Sequence, residues 1–285
     1  MGPSSLLKTR DFDSGRHART FLNGLLEGCG RLMPGLGLGM GQADRAVPSS
    51  ESWRPWPVFS RAEALFLLGE RSAAERIVQR LFRRPLEMWE YAGLAGAPDD
   101  ARVEVGASRK TLYIEMGDPV NATYRAYYYL RRTCGQLVLI NDGFHIRALD
   151  RQRRGFGLKV FHRQVQNALR LGIVCINTVA GRGHGENGYY TWPRFGFNGG
   201  LPTRVRRRLP DNLHGRRTVL DLMDCRRGRD WWREHGETLR VTFNLVAGSR
   251  SRAMLSRYVF AKMKIASGPK TNLENHRAMS YGNAR

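Results

Sequence analysis

A chain of 285 residues with 41% hydrophobic and 10% aromatic content can bury a sizeable core, which excludes a wholly disordered protein. Its net charge of +22 comes almost entirely from arginine, because Lys8, Lys110, Lys159, Lys262, Lys264 and Lys270 are the only lysines. No apolar run reaches the ~20 residues of a membrane span, and Cys29, Cys134, Cys175 and Cys225 form no CxxC pair, so neither a membrane protein nor a zinc-bound or disulfide-stapled module is expected.

The chain starts MGPSSLLKTRDFDSGR, where two aspartates precede any long apolar stretch and Leu6 breaks the myristoylation pattern. A cytoplasmic protein is the expectation. Residues 1–55 are rich in Gly, Ser and Pro and read as a flexible arm. The run GLGLGMGQ at 35–42 has no Lys-Ser/Thr and misses GxGxxG spacing, so it is not a nucleotide loop. A folded domain is expected over 56–265, and a polar tail over 266–285.

From Ser60 the apolar spacing turns helical, at Ala64, Leu65 and Leu68 and then at Ile77, Val78, Leu81 and Phe82. Ser60 with Glu63, and Ser72 with Glu75, read as capping boxes of two helices or of one broken helix stopped by Pro85. Strands are expected at 101–106, 110–116, 123–132 and 136–149. In the third, Tyr124, Ala126, Tyr128 and Leu130 alternate as one buried face, and Gly135 marks a hairpin turn after it. Leu158, Phe161, Val165, Ala168 and Leu169 then make one helical face that ends at Gly172. GIVCINTV reads as a strand buried on both faces, with Cys175 a core thiol. Further on, TVLDLMDCRRGRDWWREHG reads as helix, TLRVTFNLV as strand and SRSRAMLSRYVFAKM as helix.

Between the fourth strand and the long helix lies QRRGFG, residues 152–157. Two glycines there either punctuate a turn or bring backbone N–H groups close to a phosphate at a helix start. The motif fits Q/R-x-x-G-x-G/A and resembles the cofactor loop of the GNAT acyltransferase superfamily. The order of elements from about 55 to 250 is similar to that family, as is NGYYTWPRFGFN with its Asn, aromatic and Gly-Phe. The resemblance implies an α/β (α+β) fold with a mixed, largely antiparallel sheet. It also implies acyl transfer, acetyl above all, from acyl-CoA to an amine. Acetyl-CoA or another acyl-CoA would then be held by Gln152, Arg153, Arg154, Gly155, Phe156 and Gly157. A backbone N–H near Ala148 or Leu149 would polarise the thioester carbonyl.

This chain departs from the family where a tyrosine four residues before Gly-Phe protonates the leaving thiolate: Trp192 stands there. Tyr190, ahead of Tyr189, is the remaining acid. Glu186 is the candidate base, with His184, His145 and Glu115 as alternatives. His184-x-Glu186 is not a zinc deaminase signature, since no Pro-Cys-x-x-Cys follows; no metal site is expected. RVRRRLP at 204–210, with Arg216 and Arg217, is the densest basic patch, and TYRAYYYLRR interleaves aromatics with arginines. Both suit RNA, DNA or another polyanion, and both suit ordinary surface. The alternative to an enzyme is therefore a GNAT-shaped basic module without catalysis that holds nucleic acid or an assembly.

Overall fold

The computed structural model describes residues 59–148, 152, 155–183 and 185–266. The expected arm at 1–55 lies outside them, as does the expected tail beyond residue 266. One open seven-stranded sheet runs β1 (Glu63–Phe66), β2 (Arg102–Ser108), β3 (Thr111–Gly117), β4 (Tyr124–Thr133), β5 (Gln136–Ile146), β6 (Cys175–Ala180), β7 (Leu239–Asn244), in that spatial order. Neighbours are antiparallel except β1 with β2 and β5 with β6. The helices among the described residues are α1 (Arg71–Phe82), α2 (Met88–Ala95), α3 (Phe156–Arg170), α4 (Gly188–Phe195), α5 (Thr203–Arg207), α6 (Val219–Met223), α7 (Arg226–His235) and α8 (Arg250–Ala266). The chain has a mixed α/β (α+β) fold with a largely antiparallel sheet, as expected.

Local chemistry explains the central hairpin. Thr133 pairs with Gln136 across a two-residue turn in which Cys134 and Gly135 both take positive φ, at 49° and 77°. That is the geometry a right-twisted hairpin demands. Alternation then sorts the strands into two faces. On one, Val105, Ile114, Tyr128, Leu139, Ile176 and Phe243 join the buried sides of the helices in one continuous core. On the other, Val138 and Ile140 are also buried but stand outside that core. The apolar sides of the described helices all belong to the first face.

Several local expectations are corrected. Glu63–Phe66 is a strand, not a helix, because Ala64 and Phe66 align beside Val103 and Val105 of β2. The Ser60 hydroxyl accepts from the Ala62 N–H at 2.9 Å and starts no helix. Helix α1 begins two residues earlier than the second box implies, with Glu70 at its N-cap and Ser72 already inside. Strand β6 is buried on one side only, at Ile176, Thr178 and Ala180. Cys175 is accordingly half-buried, and burial pushes its thiol up to about 11.

Candidate functional site

Strands β5 and β6 pair only from Val138 with Cys175 to Asn141 with Thr178. Beyond that point β5 stays with β4 as far as Ile146, and β6 stays with β7 as far as Ala180. The sheet therefore splits into a wedge between its two central parallel strands. The cause is local. Tyr128 pairs with Asn141 but Tyr127 pairs with Gly143, which leaves Asp142 as an extra residue in a β-bulge. A bulge bends and twists its own strand, here away from β6.

The start of α3 lies on the β5 side of this wedge. A methyl group on Gly157 would meet Phe144 Cε1 at 3.3 Å and Ile146 Cδ1 at 3.7 Å, so glycine there lets the helix start lie close on β5. Gly155 has a different reason: its φ of 80° is left-handed, while a side chain on it would meet nothing within 4 Å. As N-cap it supplies no side-chain acceptor, and the first turn holds no acid. A 15-residue helix thus presents its positive end with no acidic group of its own to neutralise it. Phe156 packs its ring on Tyr124 at 5.0 Å, fixing the helix start to the sheet.

The other residues expected around this loop fall as follows. Gln152 donates from Nε2 to the Ile146 carbonyl at 2.7 Å, closing the loop over the end of β5. The N–H groups of Arg147 and Ala148 both reach the Thr123 carbonyl, at 2.7 and 3.2 Å, so the Ala148 N–H faces β4 and is engaged. Strand alternation then turns the backbone groups of Ile146 and Phe144 the other way, into the wedge. Leu149, Arg153, Arg154 and His184 lie outside the described residues.

Sequence reading passed over the residues at the apex. Asn141 is buried there, donating to Gln164 Oε1 at 2.9 Å, while Gln164 donates to the Leu94 carbonyl at 2.8 Å. That chain fixes which way the Asn141 amide points, and its Oδ1 is left buried with no donor. An orphaned acceptor of this kind costs about 1–3 kcal/mol until something donates to it. Asp142 lies on the face that carries no described helix, beside Tyr129. Burial first, then the Asp142 carboxylate, push the Tyr129 hydroxyl up to about 12. The only sequence signal for either residue was a polar pair, Asn-Asp, inside an otherwise apolar strand.

On the far side of the wedge, Gly181 follows directly after β6. A Cβ built there would meet Glu186 Oε2, so the exposed Glu186 carboxylate folds onto this backbone at the β6 lip. Tyr190 is directed elsewhere. Its hydroxyl accepts from Arg233 of α7 at 2.6 Å, and its ring lies against Arg233 and Arg194, the latter also over Tyr258 of α8. Trp192, not Tyr190, faces α3, in ring contact with Phe161 at 5.7 Å. The structure thus groups Gly155, Phe156 and Gly157 with Gln152 and Ala148 at the β5 lip, and Glu186 at the other. It does not bring Tyr190 to either. Glu115 is ion-paired with Arg125, and His145 is exposed on β5. No group of three or more His, Cys, Asp or Glu that would hold a metal occurs among the described residues.

Among known proteins, no family model matches this chain and no curated protein matches it. No helix among the described residues is long and apolar enough to cross a membrane.

Proposed function

We propose that the protein is an acyl-CoA-dependent N-acyltransferase built on the GNAT plan. One observation carries the reading: two central parallel strands part at a bulge, with an uncapped, glycine-marked helix start on one lip. The residues present fit an extended, phosphorylated thioester. The N–H groups of the first turn of α3 would hold its pyrophosphate, with Arg153 and Arg154 adjacent in sequence. A helix start is worth about 0.3–1 kcal/mol to an exposed anion. The orphaned Asn141 Oδ1 at the apex suits an N–H of an amide or an amine.

Acyl-CoA supplies the activated carbonyl, and the chain does the rest. The wedge-facing N–H groups of Ile146 and Phe144 are the donors for negative charge developing on the carbonyl oxygen. An incoming amine must shed a proton as its nitrogen bonds the carbonyl carbon and the C–S bond breaks. Asp142 at the apex and Glu186 at the β6 lip are the carboxylates placed to take it, Asp142 first.

A second reading, binding without turnover, is favoured by Tyr190, whose hydroxyl is held by Arg233 instead of standing at the wedge. If turnover occurs, solvent protonates the leaving thiolate.

Gly155→Asp tests the primary reading cleanly. Asp tolerates a left-handed backbone better than most residues, and the position is open. Its carboxylate would favour the helix start but repel a pyrophosphate. Calorimetry should show at least a tenfold loss of acetyl-CoA affinity with no loss of thermal stability. Equal affinity in both proteins would remove the helix start from the site.

A further inference from the structure

We propose that residues 201–217 form a clamp for the phosphodiester backbone of a nucleic-acid duplex, independently of the wedge. The segment leaves the sheet edge and returns to the same place. Leu201 N–H donates to the Arg217 carbonyl at 2.8 Å, Gly200 bridges to Thr218, and Val219 N–H donates to the Gly199 carbonyl at 2.9 Å. Next to this closed base, Asn198 bridges to Thr242 of β7. Inside the loop Val205, Leu209 and Leu213 are spaced by four and are 0, 4 and 3% exposed, so three anchors pin it to the core. What remains outside is charge. Arg204, Arg206, Arg207, Arg208 and Arg217 are exposed, and Arg216 is half-exposed.

Several arginines elsewhere in the fold are neutralised by carboxylates, although among the described residues exposed ones such as Arg61 and Arg76 are not. Arg84 is paired with Glu90, Arg125 with Glu115, and Arg250 with Asp221 and Asp224. In the loop, Arg204 meets Glu237 at 2.8 Å. Among the described residues no carboxylate lies within ion-pair reach of the guanidinium groups of Arg206, Arg207, Arg208, Arg216 or Arg217. A rigid, closed loop that holds unneutralised guanidinium groups in fixed positions has little ordering left to do when it meets phosphates.

The chemistry selects among polyanions. Every large apolar side chain of the loop points inward, so nothing is available to insert into a lipid surface, which stable membrane attachment needs. Residues 199–218 contain no Phe, Tyr or Trp on which unpaired bases could stack. Phosphate contact alone remains, and it reads charge spacing, not sequence. A duplex offers that spacing at its densest, about one charge per 1.7 Å of axis.

The test is duplex DNA binding by fluorescence anisotropy across roughly 50–200 mM salt, on the full chain. Three proteins are compared: the wild type, Arg206→Ala/Arg207→Ala/Arg208→Ala, and a control, Arg61→Ala/Arg76→Ala/Arg80→Ala, which loses the same charge, unpaired among the described residues, from another exposed surface. The loop variant keeps Val205, Leu209 and Leu213, so circular dichroism should show the wild-type fold. The proposal expects the loop variant to lose about tenfold or more in affinity and about three units of slope in log K against log salt. The control should lose less than threefold. Equal losses in the two variants would overturn it in favour of a diffuse field. So would tighter binding of a single strand than of a duplex, binding to anionic phospholipid vesicles without binding to DNA, or no binding to any of these.

Discussion

The two faces of this sheet are built on different rules. One face is governed by burial. Phe161 of α3, for instance, touches Trp192, Phe195, Phe197 and Phe243 with ring centroids 5.1–5.8 Å apart. The other face has no described helix over it and is ordered by polar pairs across its rows. Glu104, Glu115 and Tyr127 share one row, and Gly106, Tyr113, Tyr129 and Ile140 share the next. There Tyr113 donates to Glu70 at 2.8 Å, Arg125 pairs with Glu115 and lies over the Tyr127 ring, and Tyr129 is coupled to Asp142. The difference teaches where to look for stability and where for chemistry. Changes on the helix face should be costly to folding, and changes at the polar pairs of the face without a described helix should be cheap to folding but costly to function.

The largest stability effect is expected at Phe161→Ala. Deleting the ring that the aromatic cluster surrounds should cost about 3–5 kcal/mol in denaturant unfolding. A loss below 1 kcal/mol would mean that the helix face is not the organising core.

Next comes His162, one residue along α3 and also buried on that side. Burial lowers its imidazole from 6.5 to about 4. Between those values the unfolded chain binds a proton that the folded chain refuses. Stability should therefore be complete above about pH 6.5 and fall as pH drops toward 4, by an amount on the order of 3 kcal/mol. His162→Gln should flatten that part of the profile. An unchanged profile in the variant would place the acid sensitivity in other groups.

On the face without a described helix, Tyr129→Phe removes one hydroxyl and should cost only about 1 kcal/mol. Asp142→Asn should likewise leave the fold intact. If transfer occurs, it should lower kcat by about 10²-fold or more with acyl-CoA affinity preserved. A matching loss in both kcat and stability would erase the distinction between the faces. The smallest effect should come from Arg125→Ala, whose ion pair with Glu115 is half-exposed and worth under about 1 kcal/mol.

That contrast also explains what the sequence disclosed. Strands β2 to β5 and helix α3 were legible because Tyr124, Ala126, Tyr128 and Leu130, and then Leu158, Phe161 and Val165, repeat with a single period against one core. Edge strand β1 was misread because four residues hold no period, and pairing with β2 overrode a Ser-x-x-Glu signal that helices share with many turns. Helix α2 was missed because its residues are buried nearly all round, from Glu90 to Ala95, leaving no polar stripe to mark it. At the site, the glycines of QRRGFG were visible while the wedge was not. A bulge is one unpaired residue, and nothing in Asn141-Asp142-Gly143 fixes which residue is unpaired until β4 lies beside it. The direction of Tyr190 was equally hidden, because it depends on Arg233 reaching across from α7.

Amide hydrogen exchange with and without acetyl-CoA decides whether the wedge between β5 and β6 is the acyl-CoA site. Acetyl-CoA in the wedge should slow exchange at Phe144 and Ile146, in the first turn of α3 and at 179–181, with little change along β2 and β3. Protection confined to the arginines of 204–217, or none in the wedge at saturating acetyl-CoA, would contradict that assignment.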